Sequence, residues 1–199
     1  MTNPYFSCLR GDVRHLELME PLIKEVDIII PLACLVGAPL CDYDQVGART
    51  TNHDSVEMIL SLMRPAQKLL FPTTNSGYGV GLGDDYCTEE SPLNPISLYA
   101  RLKVDIEKKI LSSGQGITFR LATVFGVSTR MRMDLLVNDF TYRAVKDRFV
   151  VLFEAHFKRN YLHVRDAANV FLHGITHFDS MKGNAFNVGL STANLSKRE

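Results

Sequence analysis

Three short apolar runs, Val26 to Leu32, Lys68 to Pro72 and Ile117 to Leu121, constrain this chain most, because amphipathic stretches separate them. Runs of that length without polar alternation suit strands covered on both faces, the usual state of a parallel sheet. Between them, Ser55 to Met63 carries apolar residues at helical spacing, and Ser97 to Leu111 sets Leu98, Leu102, Ile106 and Ile110 on one stripe. Gly114 and Gly116 are expected to end the second of these helices before the chain re-enters the sheet. Strands taking turns with helices predict an α/β fold, a doubly wound parallel sheet. From about Ser128 the rhythm changes. A helix near Asp134 to Val145, strands near Phe149 to Leu152 and Tyr161 to Val164, a helix over Asp166 to His173 and a last strand at Ala185 to Val188 are predicted. Residues 1–127 are read as the main domain. Residues 128–199 are read as a small α+β lobe whose last strand returns to the sheet.

The composition excludes several classes of function. With 199 residues and 46% hydrophobic content the chain is long enough for a packed core. Lys plus Arg number 22 and balance 22 Asp plus Glu, and the charges are scattered, so no field holds a polyanion and no nucleic-acid partner is expected. The longest apolar run, Val26 to Leu40, holds Asp27, Pro31 and Pro39 and falls short of the roughly 20 residues of a spanning helix, so no membrane segment is expected. Cys8, Cys34, Cys41 and Cys87 show no metal-type pairing, and the N-terminus has no secretion signal. Reduced thiols, no metal and a cytoplasmic location are the expectation.

The chemistry centres on Tyr99-Ala-Arg-Leu-Lys103, two residues one helical turn apart, preceded by Thr73-Thr74-Asn75-Ser76 at the end of a buried strand. A phenol ionises near pH 10 in water, so it relays protons at neutral pH only beside a fixed positive charge. Lys103 is the predicted source of that charge, since positions i and i+4 share a helix face. The hydroxyl of Thr74 is expected to approach from the strand end and complete an acid/base triad. The bland readings, Tyr99 as a packed aromatic, Lys103 as a solvated lysine and Thr74 as a turn-capping hydroxyl, weigh less than the catalytic one given the spacing to Thr74.

Taken together and in order, the motifs resemble the extended short-chain dehydrogenase/reductases, in particular the NAD-dependent nucleotide-sugar epimerases and dehydratases, over nearly the whole chain. Gly11-Asp12-Val13 looks like the loop whose Asp meets the adenine of the dinucleotide. Asp27 to Gly37 looks like the strand and turn beneath the cofactor, with Pro31 where a His is more usual. Thr73 to Gly79 resembles the segment with the catalytic Thr74, and Thr88-Glu89-Glu90-Ser91-Pro92, Pro95, Tyr99 and Lys103 follow in the family's order. Arg120 to Gly126, Arg159 to Asp166 and Phe186-Asn187-Val188-Gly189 look like the stretches around the sugar-nucleotide pocket.

The resemblance implies a Rossmann-like sheet, a cofactor NAD (NADP also open), a nucleotide-diphosphate sugar as partner and a homodimer. It implies catalytic roles for Thr74, Tyr99 and Lys103. It places Asp12, Val13, Leu32, Ala33, Asn52, Thr73 and Val124, with Tyr99 and Lys103, at the cofactor, and Asn75, Ser76, Thr123 and Arg159 at the substrate. The implied reaction is transient oxidation of a sugar hydroxyl and re-reduction from the opposite face, an epimerisation. The family's dehydratases follow the catalytic Thr with Asp-Glu and its decarboxylases with Ser-Glu, whereas Asn75-Ser76 follows here. A reductase of ketosugars stays open, as does a non-catalytic dinucleotide-binding scaffold. Thr123 stands where many relatives carry an Asn.

Other features carry less. Gly77 to Gly83 does not fit Gly-x-Gly-x-x-Gly, precedes Asp84-Asp85 rather than a helix start, and reads as a mobile flap. Glu89 and Glu90 read as a stabilised loop before Pro92, and His163 as a packed histidine. Arg159 suits a diphosphate, against an equal reading as a surface ion pair. No Gly-x-x-Gly-x-x-Gly occurs, and only a few residues precede Gly11, so the chain reads as an internal piece of a longer enzyme.

Overall fold

A computed structural model of the protein describes residues 3–80 and 86–199. The end of the expected flap, residues 81–83, and Asp84-Asp85 lie outside the described residues. In chain order the elements are α1 (Leu16–Glu25), β1 (Ile28–Ile29), α2 (Ala38–Tyr43), α3 (Gln45–Arg49), α4 (Ser55–Leu62), β2 (Lys68–Thr74), α5 (Leu98–Ser113), β3 (Gly116–Leu121) and β4 (Thr123–Phe125). There follow α6 (Leu136–Lys146), β5 (Lys158–His163), α7 (Val164–Thr176), α8 (Phe178–Met181), β6 (Ala185–Val188) and β7 (Asn194–Ser196).

The main sheet runs β1-β2-β3-β6, all parallel. Along β2 the pleat sends Leu69 and Phe71 to one face, where Ile23 of α1, Val56 and Ile59 of α4 and Ile106 and Ile110 of α5 cover them. Leu70 goes to the other face with Ile117, Phe119 and Val188, under Ala167 of α7 and Phe178 of α8. Both faces are therefore covered, which explains the uninterrupted apolar runs. Burial of each such side chain contributes about 1.5–3 kcal/mol, against about 0.3 for an exposed helical ion pair, so packing holds the helices in place. The second sheet joins β4 to β5 in parallel and β5 to β7 antiparallel.

Helix α5 begins where Ser97 Oγ accepts from the Ala100 amide and ends at Gly114, whose φ of +69° is the left-handed conformation that closes helices. Two expected strands differ. The run Val26 to Leu32 yields only Ile28–Ile29, because β1 is an edge strand and pairs with β2 alone. Phe149 to Leu152 is not a strand: among the described residues no neighbouring strand pairs with it, and Phe149, Val151 and Leu152 are exposed. Among the described residues no helix is long and apolar enough to cross a membrane.

Candidate active site

The register of the main sheet sets the site. Thr74 is the last residue of β2 and pairs with Leu121, the last of β3, so it stands at the carboxyl edge of the sheet, where doubly wound folds bind ligands. Its Oγ1 accepts from the Ser76 amide at 3.1 Å, which leaves the hydroxyl proton free to donate. Thr73 is buried, its own hydroxyl accepting from the Thr74 amide. Asn75 is half-buried and Ser76 exposed on the turn that follows.

Tyr99, Lys103 and Glu107 form one stripe of α5 at successive turns. Lys103, only 4% exposed, donates to the Pro72 carbonyl at 2.9 Å and lies 4.2 Å from the centre of the Phe71 ring. This pins α5 to the strand two residues before Thr74. Burial holds the Lys103 ammonium below the ordinary lysine value, and the nearby Cys34 and Cys41 sulfurs oppose that. Tyr99 packs on the cluster of Cys41, Ala48 and Leu102. Burial raises its phenol strongly, the two cysteines add to this, and the Arg132 guanidinium opposes it. Lys103 is the cation expected to act on the phenol; in the structure its ammonium donates to the Pro72 carbonyl and lies against the Phe71 ring.

Other sequence-derived positions divide into those on open surface and those engaged internally. Leu32 and Ala33 are exposed beyond the end of β1. Asn52, 1% exposed, accepts from the Leu35 amide and donates to the Leu35 carbonyl, both at 2.8 Å, so it fixes the turn after β1 by clamping its backbone. The Asp12 carboxylate is held by the Arg14 backbone amide at 2.9 Å and by the Arg14 guanidinium, with Val13 half-buried beside it. Val124 packs into the core beside Leu162, and Thr123 pairs with Tyr161. Arg159 is exposed on β5 opposite Leu195, and among the described residues it makes no ion pair.

Sequence reasoning placed Arg120 near the ligand, but its side chain runs into the protein, onto Glu107 and the Tyr78 hydroxyl. Glu89 has the structural role expected of it, its carboxylate accepting from the Asn187 amide at 2.6 Å. His163 caps α7 through Nδ1, which accepts from the Arg165 amide at 3.3 Å. Arg132, Cys34 and Asn138 were not foreseen. Cys34 carries no periodic signal, and Arg132 is marked only by the Arg-x-Asp spacing to Asp134.

Comparison with known proteins gives one family and one fold. The model of the NAD dependent epimerase/dehydratase family matches residues 3–189. Among solved structures, dTDP-glucose 4,6-dehydratase from Bacillus anthracis in complex with NAD superposes with a TM-score of 0.79 at 23% identity, over 94% of this chain and 59% of that one. UDP-glucuronic acid 4-epimerase from Bacillus cereus, in complex with UDP-glucuronic acid and NAD, gives 0.82 at 20%, over 94% and 61%. A UDP-glucose 4-epimerase gives 0.82 at 18%, over 96% and 65%. The chain thus spans about three-fifths of the length of these structural relatives.

Proposed function

The chain belongs to the NAD dependent epimerase/dehydratase family, and from that premise we propose that Thr74, Tyr99 and Lys103 are the proton-transfer centre of a nucleotide-sugar epimerase using NAD or NADP. The observation that carries the proposal is the Lys103–Pro72 hydrogen bond, which locks the helix bearing Tyr99 onto the strand that ends in Thr74.

The residues present fit the nicotinamide-ribose end of such a cofactor. Lys103 is buried with one carbonyl partner, which leaves ammonium donors for ribose hydroxyls, and Leu32 and Ala33 offer an exposed apolar bed at the end of β1. When bound, NAD supplies a two-electron acceptor that takes hydride from the sugar carbon and can return it. The Tyr99 oxygen accepts the proton of the reacting hydroxyl and later gives it back. Thr74 donates its free hydroxyl proton to the same sugar oxygen. Arg159, on the small lobe, is the proposed anchor for the sugar diphosphate, with Asn75, Ser76 and Thr123 nearer the sugar.

The solved relatives include a UDP-glucuronic acid complex and a dTDP-glucose 4,6-dehydratase, which supports a nucleotide-diphosphate sugar as partner of the whole enzyme, a homodimer in this proposal. Asn75-Ser76 brings no carboxylate to the turn, which favours epimerisation or ketosugar reduction over elimination of water. The test is Tyr99→Phe, with folding checked by circular dichroism. NAD reduction and epimer formation from UDP-glucose and UDP-glucuronic acid should fall at least about 100-fold. A fully active Phe variant ends the proposal.

A further inference from the structure

We propose that Cys34, on the turn after β1, and Cys41, on α2, are an oxidative modification site: a thiol pair that a hydroperoxide closes to a disulfide, stapling the turn to the helix. The inference goes beyond the epimerase reading and does not depend on it.

The two sulfurs meet at one oxygen. Cys34 Sγ donates to the Leu35 carbonyl at 3.5 Å, and Cys41 Sγ donates to the same carbonyl at 3.1 Å. Asn52 Nδ2 donates to that oxygen as well, at 2.8 Å. A carbonyl oxygen has two lone pairs, so three donors exceed what it serves well, and the thiols are the weak donors among them. Converting both thiols to a disulfide therefore strands no acceptor, because the stronger Asn52 bond stays. Asn52 Nδ2 also lies 3.6 Å from Cys41 Sγ, which keeps its lone pairs in a disulfide. The pair can thus close without leaving an unpaired polar group in the turn.

Access sets the order of steps. Cys34 is half-buried and Cys41 fully buried, so the oxidant meets Cys34 first. The Cys34 thiolate attacks one oxygen of the peroxide, the O–O bond breaks, the other oxygen leaves as water or alcohol, and the sulfur becomes a sulfenic acid. Cys41 then attacks that sulfur: the S–S bond forms, the S–O bond breaks, and the departing hydroxide takes the Cys41 proton and leaves as water. Two thiols lose two electrons and two protons, and the peroxide gains them. Burial pushes both thiols up, so the thiolate is scarce at neutral pH and closure speeds up as pH rises. Cys41 packs with Leu35 and Tyr99, so the staple forms beside the phenol. Helix α2, six residues long and too short to persist alone, receives the constraint.

The test locates the bond without turnover. The Cys8→Ser/Cys87→Ser variant, which removes the two exposed thiols, is treated with hydrogen peroxide at mildly alkaline pH, then unfolded, alkylated and mapped by peptide mass spectrometry. The peptide that carries both Cys34 and Cys41 is expected to lose about 2 Da and to take up no alkylating agent, and dithiothreitol to reverse both changes. Hydrogen exchange of the Ala38–Tyr43 amides is expected to slow about tenfold in the oxidised form. With Cys34→Ser added, Cys41 is expected to stay a thiol. The proposal is overturned if Cys34 ends as a sulfenic or sulfinic acid while Cys41 still takes up the alkylating agent, if Cys41 is oxidised as fast when Cys34 is serine, or if exchange in α2 does not change. Those outcomes leave the epimerase reading standing, because that reading is decided by turnover of the Tyr99→Phe variant.

Discussion

Arg120 of β3 and Glu107 of α5 form an ion pair at 2.7 Å with side-chain exposures of 7% and 1%. The guanidinium goes on to the Tyr78 hydroxyl at 2.8 Å, which donates to Asn187 of β6 at 2.6 Å. One polar chain thus ties α5, two strands and the turn after Thr74 together. Removing one partner from a buried pair strands the other charge, so Glu107→Gln should cost about 3–5 kcal/mol in urea unfolding. Replacing both, Glu107→Leu with Arg120→Met, should recover most of that loss; a double variant as unstable as the single one would show that the pair itself stabilises the fold.

The buried ammonium of Lys103 lowers the stability of the fold at neutral pH. An unfolded lysine keeps its proton up to about 10.5, whereas buried Lys103 releases it earlier. Between the two values the unfolded chain binds more protons, so stability rises with pH from the lowered value toward 10.5. Tyr99, raised by burial, acts in the opposite sense, and only above the ordinary phenol range. Lys103→Met should abolish turnover, gain about 1 kcal/mol at neutral pH and flatten the upward slope. Thermal melts across pH check this, and a variant that keeps the full slope would contradict the assignment.

Asn52 is predicted to act through the turn it clamps. Asn52→Leu strands the amide and carbonyl of Leu35 and should cost about 1–3 kcal/mol. Cys41, fully buried in the parent, should then react faster with a maleimide; equal labelling rates in parent and variant would count against the clamp.

The legible part of the site was the part carried by short-range spacing. Leu98, Leu102, Ile106 and Ile110 marked α5 within two residues of its ends, and Tyr99 and Lys103 lay one turn apart because helix geometry requires it. The same stripe rule gave no warning that Lys103 and Glu107 are buried with Ile106 and Ile110, since their partners, Pro72 and Arg120, lie on other strands. Phe149 to Leu152 has strand-like residues and forms no strand, because a ladder needs a neighbour that local propensity cannot supply.

Local order therefore came from the chain alone: the alternation of strands and helices, the helix limits set by Ser97 and Gly114, and the one-turn offset of phenol and ammonium each depend on interactions within a few residues. The tertiary structure decided which charges meet. Lys103 turns to Pro72, Arg120 to Glu107, and the Glu89 carboxylate to the Asn187 amide 98 residues further on. Coulomb energy depends on distance in space and on burial, and neither is written in the order of residues until the sheet and its lobe have packed.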